Sequence, residues 1–156
     1  MWELDERSGE RETCCYLLMD VNKFKKVNDT YGHVTGDEVL RLVAEQLKRT
    51  FGNMQAFLAR YGGDEFVIIY NGMSAEEVCE RAEKLRQDVM ALHIERRYAE
   101  GSFGVTISQG ICHDIPSNGN KNWDFLHVAD QALYRVKRRG RNRLCMTDIH
   151  GREIEV

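Results

Sequence analysis

The stretch RYGGDEFVIIY (60–70) constrains the fold of this 156-residue chain more than any other segment. QAFLARY (55–61) alternates apolar and polar residues as a strand does, and FVIIY (66–70) is a second short apolar run. Gly62 and Gly63 lie between them and supply the positive φ angles of a tight turn. We therefore predict a β-hairpin, which makes two neighbouring strands of the sheet antiparallel.

Apolar runs on either side of the hairpin predict further strands. TCCYLLM (13–19) predicts a buried strand that ends at Asp20, and FGVTISQGI (103–111) predicts another. RLCMT (143–147) and REIEV (152–156) predict a short terminal β pair. Because these runs alternate with helical patterns around a central hairpin, we expect an α/β sandwich of the α+β type. Its central sheet is expected to be mostly antiparallel and flanked by helices.

Four helices are predicted from apolar periodicity and from their end signals. The first follows the strand at 13–19 and closes near Gly32, and the second begins at Thr35, whose spacing to Glu38 is that of a capping box. Ser74 is expected to cap a long third helix, and Gly140 to end the fourth. No glycine-rich phosphate loop is present in the sequence, which argues against a Rossmann or P-loop site.

Composition excludes several classes of protein. The net charge of −3, with 42% hydrophobic and 30% charged residues, is that of an ordinary soluble domain and does not favour a nucleic-acid partner. We find no apolar run long enough to cross a bilayer and no signal-peptide core at the N-terminus. The cysteines form no CxxC pair, which suits a reducing cytosol. They are Cys14, Cys15, Cys79, Cys112 and Cys145.

Three carboxylates lie where strands are expected to end. Asp20 closes the first strand, and Asp64 and Glu65 follow the glycine pair. If the first strand lies beside the hairpin, these carboxylates share a small volume, where repulsion and burial are relieved by a divalent cation. Oxygen ligands point to Mg²⁺. Acidic residues in turns are more often simply solvated, and the residues alone leave the two interpretations nearly even.

Four blocks in order resemble the GGDEF family of bacterial diguanylate cyclases. RYGGDEF is similar to its signature, and MDVNKFKKVNDTYGHVTGDEVL (19–40) resembles its metal and guanine segment. TISQGI (106–111) resembles its central strand motif, and ADQALYRVKRRGRNR (129–143) resembles its last helix and basic turn. The resemblance runs from about residue 16 to residue 143 and implies a fold like that of palm-type nucleotidyl cyclases.

The resemblance implies an enzyme that joins two GTP molecules into cyclic di-GMP and releases two pyrophosphates. It implies two Mg²⁺ per GTP site, with Mn²⁺ as an alternative. Asp20 and Asp64 would be carboxylate ligands, Val21 would offer its backbone carbonyl, and Glu65 would complete the site. Asp64 is the preferred proton acceptor and Glu65 the next, although the sequence alone does not separate the two. Lys25 would stabilise transition-state charge.

The same resemblance assigns residues to GTP itself. Asn28 and Asp37 would recognise guanine, whose N1–H and exocyclic amine form a donor pair that a carboxylate accepts. Lys137 and Arg141 would bind the triphosphate. The remaining residues at the GTP site are Phe24, Lys25, His33, Gly62 and Gly63. Taken alone, Lys25 is a solvated helix residue, Asp37 favours a helix N-terminus, and Lys137 and Arg141 complement a helix dipole.

Two departures from the family pattern are expected to matter. An RxxD motif that binds product in many members is replaced by NMQA (53–56), so we expect no product inhibition through that site. MWELDERSGERETCCY (1–16) does not match the LTGLxNR-like segment and first helix. We therefore expect 1–156 to be one truncated catalytic domain, separated from an upstream sensor domain. Its location is expected to be the bacterial cytoplasm, as part of a larger protein.

Three functions compete. The first is a diguanylate cyclase that is active as a homodimer, because one domain holds one GTP. The second is a non-catalytic module that binds GTP and signals to a partner. The third is another palm-type nucleotidyl transferase, against which Asn28 and Asp37 argue. The basic cluster KRRGRNR (137–143) is short for nucleic-acid binding and fits a triphosphate better.

Overall fold

The computed structural model describes residues 12–52, 55–96, 99–117, 119–120 and 122–156. Strands and helices alternate along the chain, as the periodicity predicts. In chain order they are β1 (Cys14–Val21), α1 (Phe24–Tyr31), α2 (His33–Phe51), β2 (Phe57–Arg60), β3 (Glu65–Asn71), α3 (Ala75–Met90), β4 (Ile94–Glu95), β5 (Ser102–Phe103), β6 (Ile107–Asp114), α4 (Asn122–Arg138) and β7 (Leu144–Thr147). None of the described helices has the length and apolar character that a membrane-spanning segment needs.

The central sheet has five strands in the order β2-β3-β1-β6-β7. β1 pairs with β3 and with β6 in antiparallel fashion, and β2 pairs with β3 in the same way. The parallel pair is β6 with β7. The predicted fold class, a mostly antiparallel sheet flanked by helices, is therefore confirmed.

β1 is the centre of the sheet and is buried along its whole length. Its odd-numbered side chains pack against α2 and α3, where Leu17 and Met19 meet Val43 and Leu85 in one apolar cluster. Its even-numbered side chains, such as Tyr16, face α4 in a second cluster. This alternation is the two-residue period of a strand, and it places Asp20 on the α4 face.

The predicted hairpin is present, and its turn is longer than a two-residue turn. Arg60 pairs with Phe66, and Tyr61 N–H donates to the Glu65 carbonyl at 2.7 Å, so Gly62-Gly63-Asp64 forms the loop. Gly62 has φ 122°, whereas Gly63 has no positive φ. The expectation that both glycines adopt positive φ is therefore wrong.

The predicted start of the second helix is wrong. Gly32, with φ 91°, directly separates α1 from α2, so α2 already begins at His33. Thr35 therefore lies inside the first turn, is 4% exposed and does not cap the helix. The Ser74 cap is confirmed, because its hydroxyl accepts from Glu77 N–H at 3.2 Å.

The predicted strand at 103–111 is two strands. Phe103 pairs with Ile94 in the small β4–β5 sheet and stacks on Tyr31 with ring centroids 3.9 Å apart. The chain joins β1 only from Ile107 onward. The terminal β pair is reduced to a single bridge, Thr147 with Glu153.

Gly110 is the closest contact between β6 and α4. A Cβ on Gly110 would overlap the Leu133 backbone N and the Ala129 carbonyl O. We predict that Gly110→Ala lowers the free energy of unfolding by about 3 kcal/mol, because the helix backbone must move away from the sheet. Urea denaturation measures the change. Gly52→Ala is the matched control, since Gly52 has φ −65° and its Cβ would meet nothing closer than 3.8 Å. Equal stability of the two variants would contradict the close packing.

Candidate functional site

Asp20 ends the α4 face of β1 as a buried carboxylate, 8% exposed. Its Oδ2 forms an ion pair with Lys137 Nζ from the last turn of α4. Its Oδ1 is buried and has no hydrogen-bond partner among the described residues. An unpaired buried carboxylate oxygen is costly, which makes it a candidate ligand for a cation.

Asp64 and Glu65 lie beside Asp20, as the strand-end argument predicts. Val21 N–H donates to the Asp64 carbonyl at 3.1 Å, and Asp20 is paired directly with Glu65 across β1 and β3. Burial, then the proximity and negative charge of the Asp20 carboxylate, raise the pKa of Asp64 to about 6. Burial and the Asp20 charge also raise the pKa of Glu65, which Lys137 opposes. The crowded carboxylates therefore disfavour their own ionised forms.

The chemistry of this pocket fits Mg²⁺. Asp20 at the end of β1 and Asp64 in the hairpin loop could supply carboxylate oxygens, and Val21 follows Asp20 in the chain. Within the described ranges, no three His, Cys, Asp or Glu side chains form a ready-made metal cage. Mg²⁺ does not need such a cage, since it keeps several waters and binds substrate phosphates together with one or two carboxylates. The unpaired Asp20 Oδ1 is the atom that this cation would satisfy.

Arg60 supports the hairpin loop, a role that the sequence reasoning missed. Its guanidinium donates to the Gly62 carbonyl at 3.2 Å and to the Gly63 carbonyl at 3.0 and 2.5 Å. These contacts fix the backbone that carries Asp64. The available signal was a basic residue at the end of a predicted strand, directly before a glycine-containing loop.

The N-terminal end of α2 packs on α1 through Gly36. A Cβ on Gly36 would overlap Asn28 Oδ1 and come within 3.3 Å of Phe24 Cζ. The absence of a side chain therefore lets the Asn28 amide lie across the α1–α2 junction. Asn28 therefore lies against Gly36, the residue that precedes Asp37 in the chain.

Asp37, His33 and Lys25 are exposed around the same junction. Asp37 lies in the second turn of α2, whose first turn contains no acidic residue. Its interpretation as a residue that favours the helix N-terminus is therefore wrong. Its carboxylate is exposed to solvent. His33 is the first residue of α2, and Lys25 is on the exposed side of α1.

The turn after α4 separates the two predicted triphosphate residues. Gly140, with φ 109°, ends the helix, and Arg141 N–H donates to the Val136 carbonyl at 3.0 Å, as in a Schellman motif. Arg141 and Asn142 follow with φ 62° and 51°. Lys137 contacts Asp20, whereas Arg141 lines a cavity between α1 and this turn, whose lining includes Asn22, two residues after Asp20.

The positions of the missing RxxD motif are only partly within the described residues. Asn53 and Met54 lie outside them, as does the N-terminal segment 1–11. Gln55 is exposed and has φ 56°, and Ala56 is half-buried. Neither side chain carries a charge that could bind a product phosphate at this place.

Known proteins resemble this chain along most of its length. The family model described as "Diguanylate cyclase, GGDEF domain" matches residues 3–143. Diguanylate cyclase DosC of Escherichia coli (strain K12) is 38% identical over 131 residues, which are 82% of this chain and 27% of that protein. Diguanylate cyclase A of Treponema denticola is 35% identical over 148 residues, 94% of this chain and 38% of that protein. The chain thus spans less than two fifths of either relative.

Solved structures agree with the fold. The GGDEF domain of DgcB from Caulobacter crescentus in complex with c-di-GMP superposes with a TM-score of 0.80 at 36% identity, covering 89% of this chain and 79% of that one. The active GGEEF domain of a diguanylate cyclase from Vibrio cholerae gives 0.75 at 29% identity, covering 86% and 82%. Because the family model and these relatives cover most of its residues, the chain belongs to the GGDEF-domain family, whose named members here are diguanylate cyclases.

Proposed function

We propose that this chain is a diguanylate cyclase domain, which binds GTP with Mg²⁺ and joins two GTP molecules into cyclic di-GMP when two copies face each other. One observation carries the proposal: Asp20 and Asp64 lie next to each other, where β1 ends and the hairpin loop closes, and a buried Asp20 oxygen has no partner among the described residues. The homologues named diguanylate cyclase support the choice of reaction.

The pocket residues have separate tasks in this proposal. Asp20 and Asp64 would hold the cation, whose charge would neutralise the phosphates and favour ionisation of the attacking ribose 3′-hydroxyl. The proton of that hydroxyl passes to Asp64, and Glu65 is the alternative acceptor. The oxygen forms a bond to the α-phosphorus of the facing GTP as the bond to pyrophosphate breaks. Two such steps close the ring and release two pyrophosphates.

Lys137 has two roles in the proposed cycle. Without a cation it neutralises Asp20 through their ion pair. With a cation bound at Asp20, the Lys137 ammonium would be free to pair with the triphosphate instead. Arg141 and Lys25 provide further positive charge for the phosphates. Phe24 and Gly63 line the approach, and a Cβ on Gly63 would have no neighbour within 4 Å.

Guanine recognition is assigned to the α1–α2 junction. Asp37, exposed in the second turn of α2, accepts from guanine N1–H and the exocyclic amine. Asn28 lies against Gly36, the residue before Asp37, and would contribute an amide, and His33, the first residue of α2, would line the entrance. Adenine lacks the adjacent donor pair, so this arrangement selects GTP over ATP.

A turnover assay tests the proposal. With GTP and Mg²⁺, we expect cyclic di-GMP and a specific activity that rises with protein concentration, because catalysis needs two loaded copies. Asp64→Asn is expected to lower turnover about 100-fold or more, whereas Asp88→Asn, on the exposed side of α3, is the control. Tight GTP binding without product in the unmodified protein would support the non-catalytic GTP-binding module instead.

Removal of the Asp64 charge is expected to stabilise the metal-free protein. The folded-state pKa of about 6 lies above the ordinary value, so ionised Asp64 destabilises the fold above pH 6 and has no effect below about pH 4. After solvent screening of this half-exposed group, Asp64→Asn should add about 1 kcal/mol at pH 8. We expect no gain at pH 4.

Urea denaturation in EDTA at the two pH values measures this gain. Addition of Mg²⁺ at pH 8 supplies the second comparison, since it should stabilise the unmodified protein more than the variant. A gain of the same size at both pH values would show that the carboxylate is not crowded by Asp20.

The space at Gly36 is expected to control GTP affinity. In Gly36→Ala the new methyl group displaces Asn28, so we predict a Kd for GTP about tenfold weaker, with little change in the Mg²⁺ concentration that stabilises the protein. Calorimetric titration with GTP measures the affinity, and a melting curve without ligand confirms folding. Unchanged GTP affinity in a folded variant would contradict the assignment of Asn28 to guanine recognition.

A further inference from the structure

The turn after α4 carries Arg141 in a strained backbone conformation. Gly140, Arg141 and Asn142 have φ angles of 109°, 62° and 51°. Arg141 and Asn142 are the only adjacent pair of non-glycine residues with positive φ in the part of the chain that the structure describes. Positive φ is unfavourable for a residue with a Cβ, and it persists where surrounding contacts impose it. The contacts around this turn therefore decide where the Arg141 side chain lies.

β6 holds the inner side of the turn through Ser108. The Ser108 hydroxyl is fully buried and accepts from Asn142 N–H at 3.2 Å. It donates in turn to Asn22 Oδ1 at 2.8 Å. At the end of the turn, Gln109 N–H donates to the Arg143 carbonyl at 3.0 Å. The backbone after Arg141 is thus fastened to the central sheet.

Arg86 of α3 holds the other side of the turn. Its Nη1 donates to Asn142 Oδ1 at 3.2 Å and to the Asn142 carbonyl at 3.4 Å. Its Nε and Nη2 donate to the two carboxylate oxygens of Glu83 at 2.8 and 2.6 Å. This bidentate pair, one helical turn away, fixes the plane of the guanidinium and directs its remaining nitrogen at Asn142. The Arg86 side chain is only 17% exposed, so water competes little for these bonds.

Arg86 lies outside the cavity that Arg141 lines. That cavity, of about 450 Å³, lies between α1 and the turn, and Arg86 is not among the described residues that line it. Asn142 both lines the cavity and accepts from Arg86. Because Glu83 neutralises the charge of Arg86, the effect of Arg86 on a ligand at Arg141 must pass through the conformation of the turn.

We infer that Arg86 is a positioning residue for the GTP triphosphate: it holds Asn142, and through Asn142 it keeps Arg141 in the conformation that binds phosphate. The inference rests on the proposed binding of the triphosphate by Arg141. It makes α3 part of the support of the substrate site, although α3 and α4 pack on opposite faces of the sheet. A guanidinium preorganised in this way avoids the entropic cost of ordering the turn when the ligand binds.

Ligands with and without the terminal phosphates test this role. One ligand is 3′-deoxy-GTP, which lacks the attacking hydroxyl and cannot be condensed, and the other is GMP, both titrated in the presence of Mg²⁺. We expect Arg86→Ala to weaken binding of 3′-deoxy-GTP about fivefold and to leave the affinity for GMP unchanged. In an Arg141→Ala chain the same substitution should cause no further loss. Glu83→Gln keeps the arginine but loosens its orientation, so it should give a smaller loss of the same kind, and it replaces Arg86→Ala if that variant does not fold.

Arg81→Ala is the matched control. Arg81 lies on the same helix, pairs with Glu77 and donates to the Thr50 carbonyl at 2.9 Å, so it fastens α3 to α2 and not to the turn. We expect it to lower the melting temperature, as Arg86→Ala does, and to leave both affinities unchanged. The inference is overturned if Arg86→Ala weakens neither ligand, if it weakens both ligands equally, or if Arg81→Ala gives the same selective loss.

Hydrogen exchange supplies a readout that does not need GTP. The amides of Arg141 and Asn142 donate to the Val136 carbonyl and to Ser108 Oγ, so Arg86→Ala should speed their exchange about tenfold, which Arg81→Ala should not do. Unchanged exchange of both amides would show that Arg86 does not hold the turn. Absence of GTP binding in the unmodified chain would instead overturn the proposed function, and the exchange rates would still report whether Arg86 holds Arg141 in place.

Discussion

The burial of β1 on both faces is the constraint on which the rest of the structure depends. Every residue from Cys14 to Val21 is buried, and the strand is hydrogen-bonded to neighbours on both sides. Asp20 continues the alternation of this strand and is thereby brought into the interior, where it is the only acidic side chain classed as buried among the described residues. A charge held there needs a partner, and the last turn of α4 supplies Lys137.

The same register determines what surrounds that charge. Because Asp20 is paired with Glu65, the hairpin loop must end beside Asp20. Asp64, which precedes Glu65, is the last residue of that loop. Two-residue alternation also places Val67 and Tyr16 on this face under α4. A shift of one residue in β3 would turn Glu65 to the opposite face and bury it against α2 and α3. The apolar packing of α4 therefore fixes the position of the carboxylates.

Most of the fold follows from periodicity, whereas the local exceptions depend on tertiary contacts. The sheet, the hairpin and the four helices could be predicted because the apolar pattern of each segment agrees with its final surroundings. Thr35 failed as a cap because Gly32 leaves no room for a longer connection between α1 and α2. The predicted strand at 103–111 is divided in two because Phe103 stacks on Tyr31, a tertiary contact that the sequence does not predict. The strand ends predicted that the carboxylates lie together. Nothing in the local sequence predicted that the Ser108 hydroxyl links Asn22 to the Asn142 backbone.

The end of α4 places basic side chains at two sites, Lys137 at Asp20 and Arg141 at the cavity beside α1. Lys137 and Arg141 are four residues apart, so a continued helix would carry them on one face. Gly140 ends the helix instead, and the left-handed residues after it turn Arg141 toward the cavity, while Lys137 stays with Asp20. Ser108 and Arg86 hold this strained turn. The strained turn and the buried Asp20 charge are both unfavourable in isolation, and each is held by contacts from another element: Ser108 of β6 at the turn and Lys137 of α4 at Asp20.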